Sequence, residues 1–330
     1  AQAENARQIL SQPMVLRIPD AEENDPGPWT LSPEDLVEMM LIERVSTDNG
    51  DEYQIACDEN KLQEYLGNRA RRINREAKNA RRYFDDETRE LVLIEDDVVG
   101  MVLDIEASID NIYEQLQDGN HEIDLIVDKD FPEVTSEHTA EQLGITELVS
   151  SETTYFYGSD GARINNIATA ASRFHGIFIA PGETFSMAEQ LGDISLDTGY
   201  AEAWIIFGDR TIKGVGGGVC QVSTTLFRAV FFGGFPVVER HPHSYRVLYY
   251  EQNPSGSNNP RLAGLDATVY VPIVDFKFTN DTEHWLLMET YVNKGYRRLT
   301  WKFYSTSDGR TVDWDTTGLT NKVDPPPPIY

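Results

Sequence analysis

The sequence predicts an α+β protein of two domains, each a mainly antiparallel sheet with packed helices. It also predicts a catalytic cysteine at a helix N-terminus in the second domain. Three observations carry this prediction. The chain has 330 residues, more than one domain of typical size. Helical and strand-like patterns alternate at short intervals, with no repeat of 20–50 residues. Cys220 follows a run of glycines and precedes an apolar pattern of helical period.

Prolines and polar turns divide the chain into five segments. Residues 1–28 form a lead-in segment that contains four prolines. Residues 29–135 form the first α+β domain, and residues 136–150 form a bridging segment. The second α+β domain covers residues 151–314, and a Pro-rich tail covers residues 315–330.

Capping signals and apolar periodicity predict the elements of the first domain. Ser32 is the expected N-cap of a helix, because Pro33 and two acidic residues follow it. The other expected elements follow the period of their apolar residues. They are a helix over 36–42, a strand over 53–56, a helix over 59–78, a strand pair at 84 and 91–94, a helix over 105–116 and a strand over 122–127.

The second domain shows mostly short strand patterns around two helices. One helix is expected at 165–174, and the other begins near Cys220. A hairpin is expected around Gly208 and Asp209, between strands 203–207 and 211–213. The remaining expected strands are 153–157, 177–179, 183–187, 236–240, 244–250, 267–271, 275–280, 286–292 and 298–304.

Composition excludes several classes of function. The formal net charge is −27, so phosphate-rich partners are repelled and nucleic acid is not an expected partner. No stretch reaches the ~20 apolar residues that span a membrane. The two cysteines, Cys57 and Cys220, do not form a disulfide framework, and no Cys/His spacing predicts a metal site. We expect no cofactor, and the sequence does not indicate an oligomeric state.

Cys220 stands where a thiol would be activated. The preceding glycines, Gly214 and Gly216–Gly218, allow positive φ angles and close approach of another backbone or a substrate. The N-terminus of the helix that follows favours the thiolate and lowers the thiol pKa. The same N–H groups suit an oxyanion that forms when a carbonyl is attacked.

A cysteine nucleophile also needs a base, and two histidines follow about twenty residues later. Either His241 or His243 could pair with Cys220, and Asp266 could orient the imidazole. Arg240 could bind a substrate carboxylate. The further candidate substrate-binding residues are Gly217, Gly218, Gln221, Ser223, Thr224 and Ser244.

Two other interpretations of this segment stay open at the level of residue types. A lone cysteine before a helix is often a small buried hydrophobic residue. A Gly-rich turn before a helix can also bind phosphate, but no Lys-Ser/Thr pair follows these glycines.

Seven short motifs in this order and spacing resemble the VanW family of bacterial cell-envelope proteins, over about residues 150–305. More weakly, residues 57–66, 73–82 and 100–119 resemble the peptidoglycan-binding domain that often precedes VanW and some L,D-transpeptidase domains. The VanW-like motifs are NIATAA at 166–171, APGETFS at 180–186, GY at 199–200, GGGVCQVSTTL at 216–226, ERHPHS at 239–244, DATV at 266–269 and DFKF at 275–278.

The resemblance implies an L,D-transpeptidase that cross-links peptidoglycan stem peptides through a Cys220 thioester, with glycan as a further partner. It favours His243 as the base, because the family pattern Arg-x-x-His-Ser is met by Arg240, His243 and Ser244; His241 is the reserve. Residues 251–264 depart from the family as a longer polar loop, which bears on the identity of donor and acceptor.

The alternatives are a papain-like peptidoglycan peptidase and a non-catalytic wall-binding protein linked to glycopeptide resistance. We expect an extracytoplasmic location at the cell envelope. The chain begins with Ala1, as expected of a product that has lost a signal peptide or membrane anchor.

Overall fold

A computed structural model describes residues 2–47, 50–208, 210–320 and 323. The chain divides into two compact units whose bounds differ from those of the predicted domains. Unit 1 comprises the described residues of Ala1–Lys78 and Asp97–Glu133, so it includes the predicted lead-in. Unit 2 comprises those of Asn79–Asp96 and Val134–Tyr330. Residues 48–49, Asp209 and most of the predicted tail from residue 321 onward lie outside the described residues.

Helices and strands alternate from Gln2 to Leu143. In chain order they are α1 (Gln2–Ile9), β1 (Met14–Arg17), β2 (Trp29–Leu31), α2 (Pro33–Glu38), β3 (Met40–Thr47), β4 (Gly50–Cys57), α3 (Glu59–Ile73), β5 (Arg81–Phe84), β6 (Leu91–Glu95), β7 (Gly100–Leu103), α4 (Ile105–Gln117), β8 (Glu122–Asp124), β9 (Val127–Asp130) and α5 (Ala140–Leu143).

Strands predominate in the remainder of the chain. The elements are β10 (Glu147–Tyr155), α6 (Gly161–Ser172), β11 (Ile177–Ile179), β12 (Thr184–Ser186), α7 (Met187–Leu191), β13 (Glu202–Phe207), β14 (Arg210–Val215), α8 (Val219–Gly233), β15 (Val237–Glu239), β16 (Lys277–Thr279), β17 (Leu286–Asn293) and β18 (Arg298–Ser305), with short 3₁₀ helices at Leu248–Glu251 and Pro260–Leu262.

Unit 1 combines small sheets with amphipathic helices. Strand β1 pairs antiparallel with β2 and parallel with β8, and β3–β4 and β7–β9 are antiparallel pairs. Leu62, Leu66 and Ile73 of α3 pack with Ile112 of α4 in a common core. The spacings of four and seven residues along α3 are those of one helix face, which predicts this buried side. The mixed α+β class is therefore confirmed here.

Two helices of unit 1 end earlier than predicted. The predicted cap at Ser32 is confirmed, but α2 ends at Glu38, because Met40–Thr47 pairs with Gly50–Cys57 as a strand. Helix α3 ends at Ile73, because the backbone of Arg75 turns to pair with a neighbouring strand. The strand predicted over 122–127 is two strands, β8 and β9, which pair with different partners.

Unit 2 is built on an antiparallel four-stranded sheet in the order β10-β18-β17-β11. Helices α6 and α8 pack on one face of this sheet, against a core that includes Trp301 and Phe303 of β18. Helix α8 is buried on nearly every side and contributes Val222 and Leu226 to that core. A second sheet in the order β12-β16-β15 and the predicted hairpin β13–β14 complete the unit.

Two strands predicted in unit 2 are wrong. Residues 244–250 end in a 3₁₀ helix, and residues 267–271 make only isolated bridges. Residues 267–271 do not form a strand, because the Ala267 carbonyl accepts hydrogen bonds from the hydroxyls of Ser223 and Thr224 on helix α8. The main chain at this point bonds to helix side chains and not to a neighbouring strand.

Candidate active site

A glycine turn places Cys220 in the first turn of α8, as the sequence predicts. Gly218 is the N-cap with φ of +116°, a conformation that favours glycine. A Cβ on Gly217 would lie 2.5 Å from the carbonyl oxygen of Trp204, so this position requires close backbone approach. No side chain caps the helix, so no side chain occupies its N-terminal N–H groups.

The thiol of Cys220 is free and half-buried. Its Sγ donates to the carbonyl oxygen of Val269 at 3.7 Å, and the side chains of His243 and Thr268 lie close enough to lower the pKa of the thiol. The cysteine is therefore not sealed in the hydrophobic core. It joins the start of α8 to two other chain segments, one carrying His243 and one carrying Thr268 and Val269.

His243 stands between Cys220 and Asp266. Its Nδ1 lies 2.5 Å from Oδ2 of Asp266, and the same oxygen accepts the backbone N–H of His243 at 2.9 Å. This arrangement leaves Nε2 for the thiol. The imidazole is only 3% exposed, and its ring packs against Tyr250 with centroids 5.1 Å apart. Cysteine, histidine and aspartate thus form one interacting series.

Electrostatics at this series favours a thiolate–imidazolium pair. Burial alone would raise the pKa of Cys220, but the hydrogen bond and positive charge of His243 outweigh it and lower that pKa. Burial alone would lower the pKa of His243, but the hydrogen bond to Asp266 and the contact with Cys220 raise it to about 9. Shifts of opposite direction in two contacting groups are typical of an activated nucleophile and its base.

Arg240 holds the carboxylate that orients the histidine. Its Nε donates to the main-chain oxygen of Asp266 at 2.8 Å, and one of its amino groups lies 3.7 Å from the carboxylate. The other contacts of its guanidinium are the carbonyl of Gly264 and the ring of Phe227. The proposed substrate-binding arginine is therefore engaged within the protein.

His241 points away from the thiol. Its side chain is 50% exposed, and its Nε2 lies 3.0 Å from Glu239. Residue types left His241 and His243 as alternatives and the family pattern favoured His243; the structure brings His243 to the cavity that Cys220 lines.

The other candidate substrate-binding residues divide into two groups. Gly217 and Gly218 line a cavity beside Cys220. Gln221, Ser223 and Thr224 are fully buried; the amide of Gln221 bonds to Arg163 and Thr154, and the two hydroxyls hold Ala267. Ser244 donates to the carbonyl of Gly208. These four side chains position the segments around the thiol.

The cavity beside Cys220 has a volume of about 360 Å³ and an aromatic and aliphatic wall. Trp204 of the β13–β14 hairpin is 56% exposed at this wall. Asp193 is the one acidic residue among the lining residues that the structure describes. The long loop at 251–264 instead helps to line a separate open cavity of about 410 Å³, which His243 and Asp266 also border.

Sequence reasoning missed three residues at this site. Tyr250 was assigned to a strand, but its buried ring packs on His243. Thr268 helps to lower the pKa of the thiol, although only Asp266 of that segment was proposed. Trp204 was placed in the correct hairpin without a role. The Tyr249–Tyr250 pair, next to a motif histidine, is the signal that could have indicated an aromatic wall.

Within the described ranges, no group of three or more His, Cys, Asp or Glu side chains could hold a metal ion. None of the helices in those ranges is long and apolar enough to cross a membrane.

Comparison with known families finds two matching segments in the chain. Residues 162–304 match the family described as "VanW like protein", and this segment contains the whole Cys220–His243–Asp266 series. Residues 35–124 match the family described as "Putative peptidoglycan binding domain". Residues 162–304 are thus similar to the VanW family and residues 35–124 to the second family, and both predicted resemblances are confirmed.

Two curated relatives match part of the chain. The uncharacterized protein YoaR of Bacillus subtilis is 36% identical over 150 residues, which are 46% of this chain and 45% of YoaR. The vancomycin B-type resistance protein VanW of Enterococcus faecalis is 30% identical over 121 residues, 37% of this chain and 42% of that protein. The aligned region therefore spans less than half of either relative. No solved structure matches the chain significantly.

Proposed function

We propose that the VanW-like domain of this chain is a cysteine acyltransferase of the bacterial cell wall, an L,D-transpeptidase that cross-links peptidoglycan stem peptides. The observation that carries the proposal is that Cys220 and His243 line one cavity, and that Nδ1 of His243 bonds to Asp266. The charge of His243 also lowers the pKa of the thiol. The series borders an open cavity large enough for a peptide segment.

In the first step, the Cys220 thiolate attacks the carbonyl carbon that precedes the terminal D-alanine of a tetrapeptide stem. A C–S bond forms, the C–N bond breaks, and Nε2 of His243 gives its proton to the leaving amine. In the second step, a side-chain amine of a neighbouring stem attacks the thioester. Its proton passes to His243, and the thiolate leaves. One amide replaces another, so no oxidant or cofactor is needed.

The helix N-terminus suits the tetrahedral intermediate of both steps. The N–H groups at the start of α8 carry a partial positive charge, and no side chain caps them. The N–H groups of Val219 and Gln221 bond to the carbonyls of Gly216 and Gly218, so an oxyanion beside Cys220 would meet the Cys220 N–H in the positive field of the helix start. Asp266 stays ionised, because its hydrogen bonds and the nearby positive charges outweigh burial and lower its pKa.

We further propose that residues 35–124 bind peptidoglycan and that the protein acts outside the cytoplasm at the cell wall. The match to a peptidoglycan-binding family supports this. The printed name of the Enterococcus relative, a vancomycin resistance protein, is consistent with a wall substrate.

The test is incubation of the protein with a tetrapeptide stem that ends in D-alanine. We expect release of D-alanine and an acyl adduct on Cys220, detected by mass spectrometry, with dimer formation when an amine acceptor is added. Release without dimers would favour the papain-like peptidase. An absence of adduct and of release would leave the non-catalytic wall-binding protein.

A matched histidine pair sharpens the test. His243→Gln should abolish adduct formation at neutral pH, because the thiol loses its base. His241→Gln should keep wild-type rates, because His241 contacts Glu239 and not the thiol. Equal rates for the two variants would contradict the assigned base.

A further inference from the structure

The four-stranded sheet of unit 2 has a second face, opposite helix α8. Leu299, Trp301 and Phe303 of β18 point into the core that α8 shares. Side chains alternate along a strand, so their neighbours point to the other face. A cluster that includes Phe84 and Tyr304 covers one end of that face, and the other end is open.

This open end forms a groove of about 500 Å³. Tyr291 lies directly across from Thr300, and Asn293 lies across from Arg298, so their side chains share one face. Tyr291 is 41% exposed. We call this surface the open sheet groove; its lining residues are Tyr291, Val292, Asn293, Arg298, Thr300 and Lys302.

The charge of the open sheet groove is opposite to that of the chain. Residues 294–302 contain four basic and no acidic residues, in a chain of net charge −27. Lys302 lies 3.4 Å from Asp86. Among the described residues, Lys294, Arg297 and Arg298 form no ion pair. Unpaired cations beside a groove with no acidic lining residue attract an anionic ligand.

The remaining groups suit sugar rings. Tyr296 is 72% exposed at the hairpin tip, with the Arg298 guanidinium 5.8 Å from its ring centroid. Exposed aromatic rings offer flat apolar faces, and the Asn293 amide, whose oxygen accepts the N–H of Tyr296, can donate its NH₂ to a sugar hydroxyl. An arginine fork binds carboxylates in bidentate geometry. Together these groups match a polymer of sugar rings that carries carboxylates.

We propose that the open sheet groove binds a carboxylate-bearing polysaccharide, with the sugar rings on Tyr291 and Tyr296 and the carboxylates at Arg298 and its basic neighbours. Helix α8, which carries Cys220, packs on the opposite face of the same sheet. The ligand therefore leaves the thiol cavity open. This inference does not depend on the acyltransferase proposal.

The experiment measures binding of the full chain to a polygalacturonate octasaccharide by calorimetry, at low and high salt. We expect saturable binding that weakens with salt, and a loss of about tenfold or more in Arg298→Gln, as expected for a charge-assisted hydrogen bond. Tyr296→Ala should also weaken binding. Arg261→Gln is the matched control. Arg261 is an exposed arginine of unit 2 whose guanidinium lies over the ring of Trp314. Both Arg261→Gln and Cys220→Ala should bind the octasaccharide as wild type does.

Three results would overturn the proposal. Wild-type affinity in Arg298→Gln would show that the open sheet groove is not the binding site. Equal affinity for neutral chitohexaose would show that charge plays no part. Equal affinity for a single-stranded oligonucleotide of the same charge would indicate a general polyanion site and not a polysaccharide site.

Discussion

Replacing Asp266 with asparagine should remove the charge that stabilises the imidazolium form of His243. The pKa of His243 is raised from 6.5 to about 9, which corresponds to about 3 kcal/mol in favour of the protonated ring. The hydrogen bond to Asp266 is the largest raising contribution, and an opposite charge in contact typically shifts a pKa by about 1–3 units. The imidazolium supports the Cys220 thiolate in turn, so the variant thiol should titrate at higher pH.

The assay is the rate of iodoacetamide alkylation between pH 5 and 10, followed by peptide mapping. In wild type, the Cys220 profile should begin to rise at lower pH than that of an ordinary thiol. In Asp266→Asn the profile should move upward, and the rate near pH 6.5 should fall by about tenfold. Cys57 is an internal reference, because burial raises the pKa of its thiol to about 11. Superimposable Cys220 profiles for the two proteins would refute the assigned role of Asp266.

Three further predictions concern stability, each measured as the free energy of unfolding in denaturant. The wild-type advantage over Asp266→Asn should be largest between about pH 4 and 6.5 and should shrink as the pH rises through about 9, because a raised histidine pKa stabilises the fold only while the ring is protonated. The hydrogen bond from the backbone N–H of His243 and the contact with Arg240 persist at higher pH. A pH-independent gap would contradict this prediction. Gly217→Ala should cost about 2 kcal/mol, because its Cβ would lie 2.5 Å from a carbonyl oxygen. Gly161→Ala, whose Cβ would have nothing within 4 Å, should be neutral or stabilising. Equal effects of the two substitutions would show that the contact at Gly217 carries no cost. Ser32→Ala should cost about 1 kcal/mol, because Ser32 and Asp35 form a reciprocal capping box, and no loss would show that the cap is dispensable.

Local signals predicted much of the fold. The cap at Ser32, the strand pair around 85–89 and the hairpin β13–β14 depend on residues close in sequence, and the structure contains all three. The errors occur where a distant partner decides the outcome. Residues 40–42 have helical character but join a strand, because β4 supplies hydrogen-bonding partners. The segment after Asp266 is apolar and alternating, but its main chain bonds to hydroxyls of α8.

Cys220 illustrates how sequence and tertiary structure share the site. The glycine run and the apolar pattern after it placed the thiol at a helix N-terminus, because helix capping and positive φ angles are local properties of the chain. Sequence spacing also proposed His243 and Asp266, but it could not choose between His241 and His243, which lie two residues apart. Only the tertiary structure decides between them, because the carboxylate that orients one ring comes from a segment 23 residues away. For the same reason Arg240, a plausible substrate ligand by type, is held against Asp266, since contacts across the fold determine where a long side chain finds its partner.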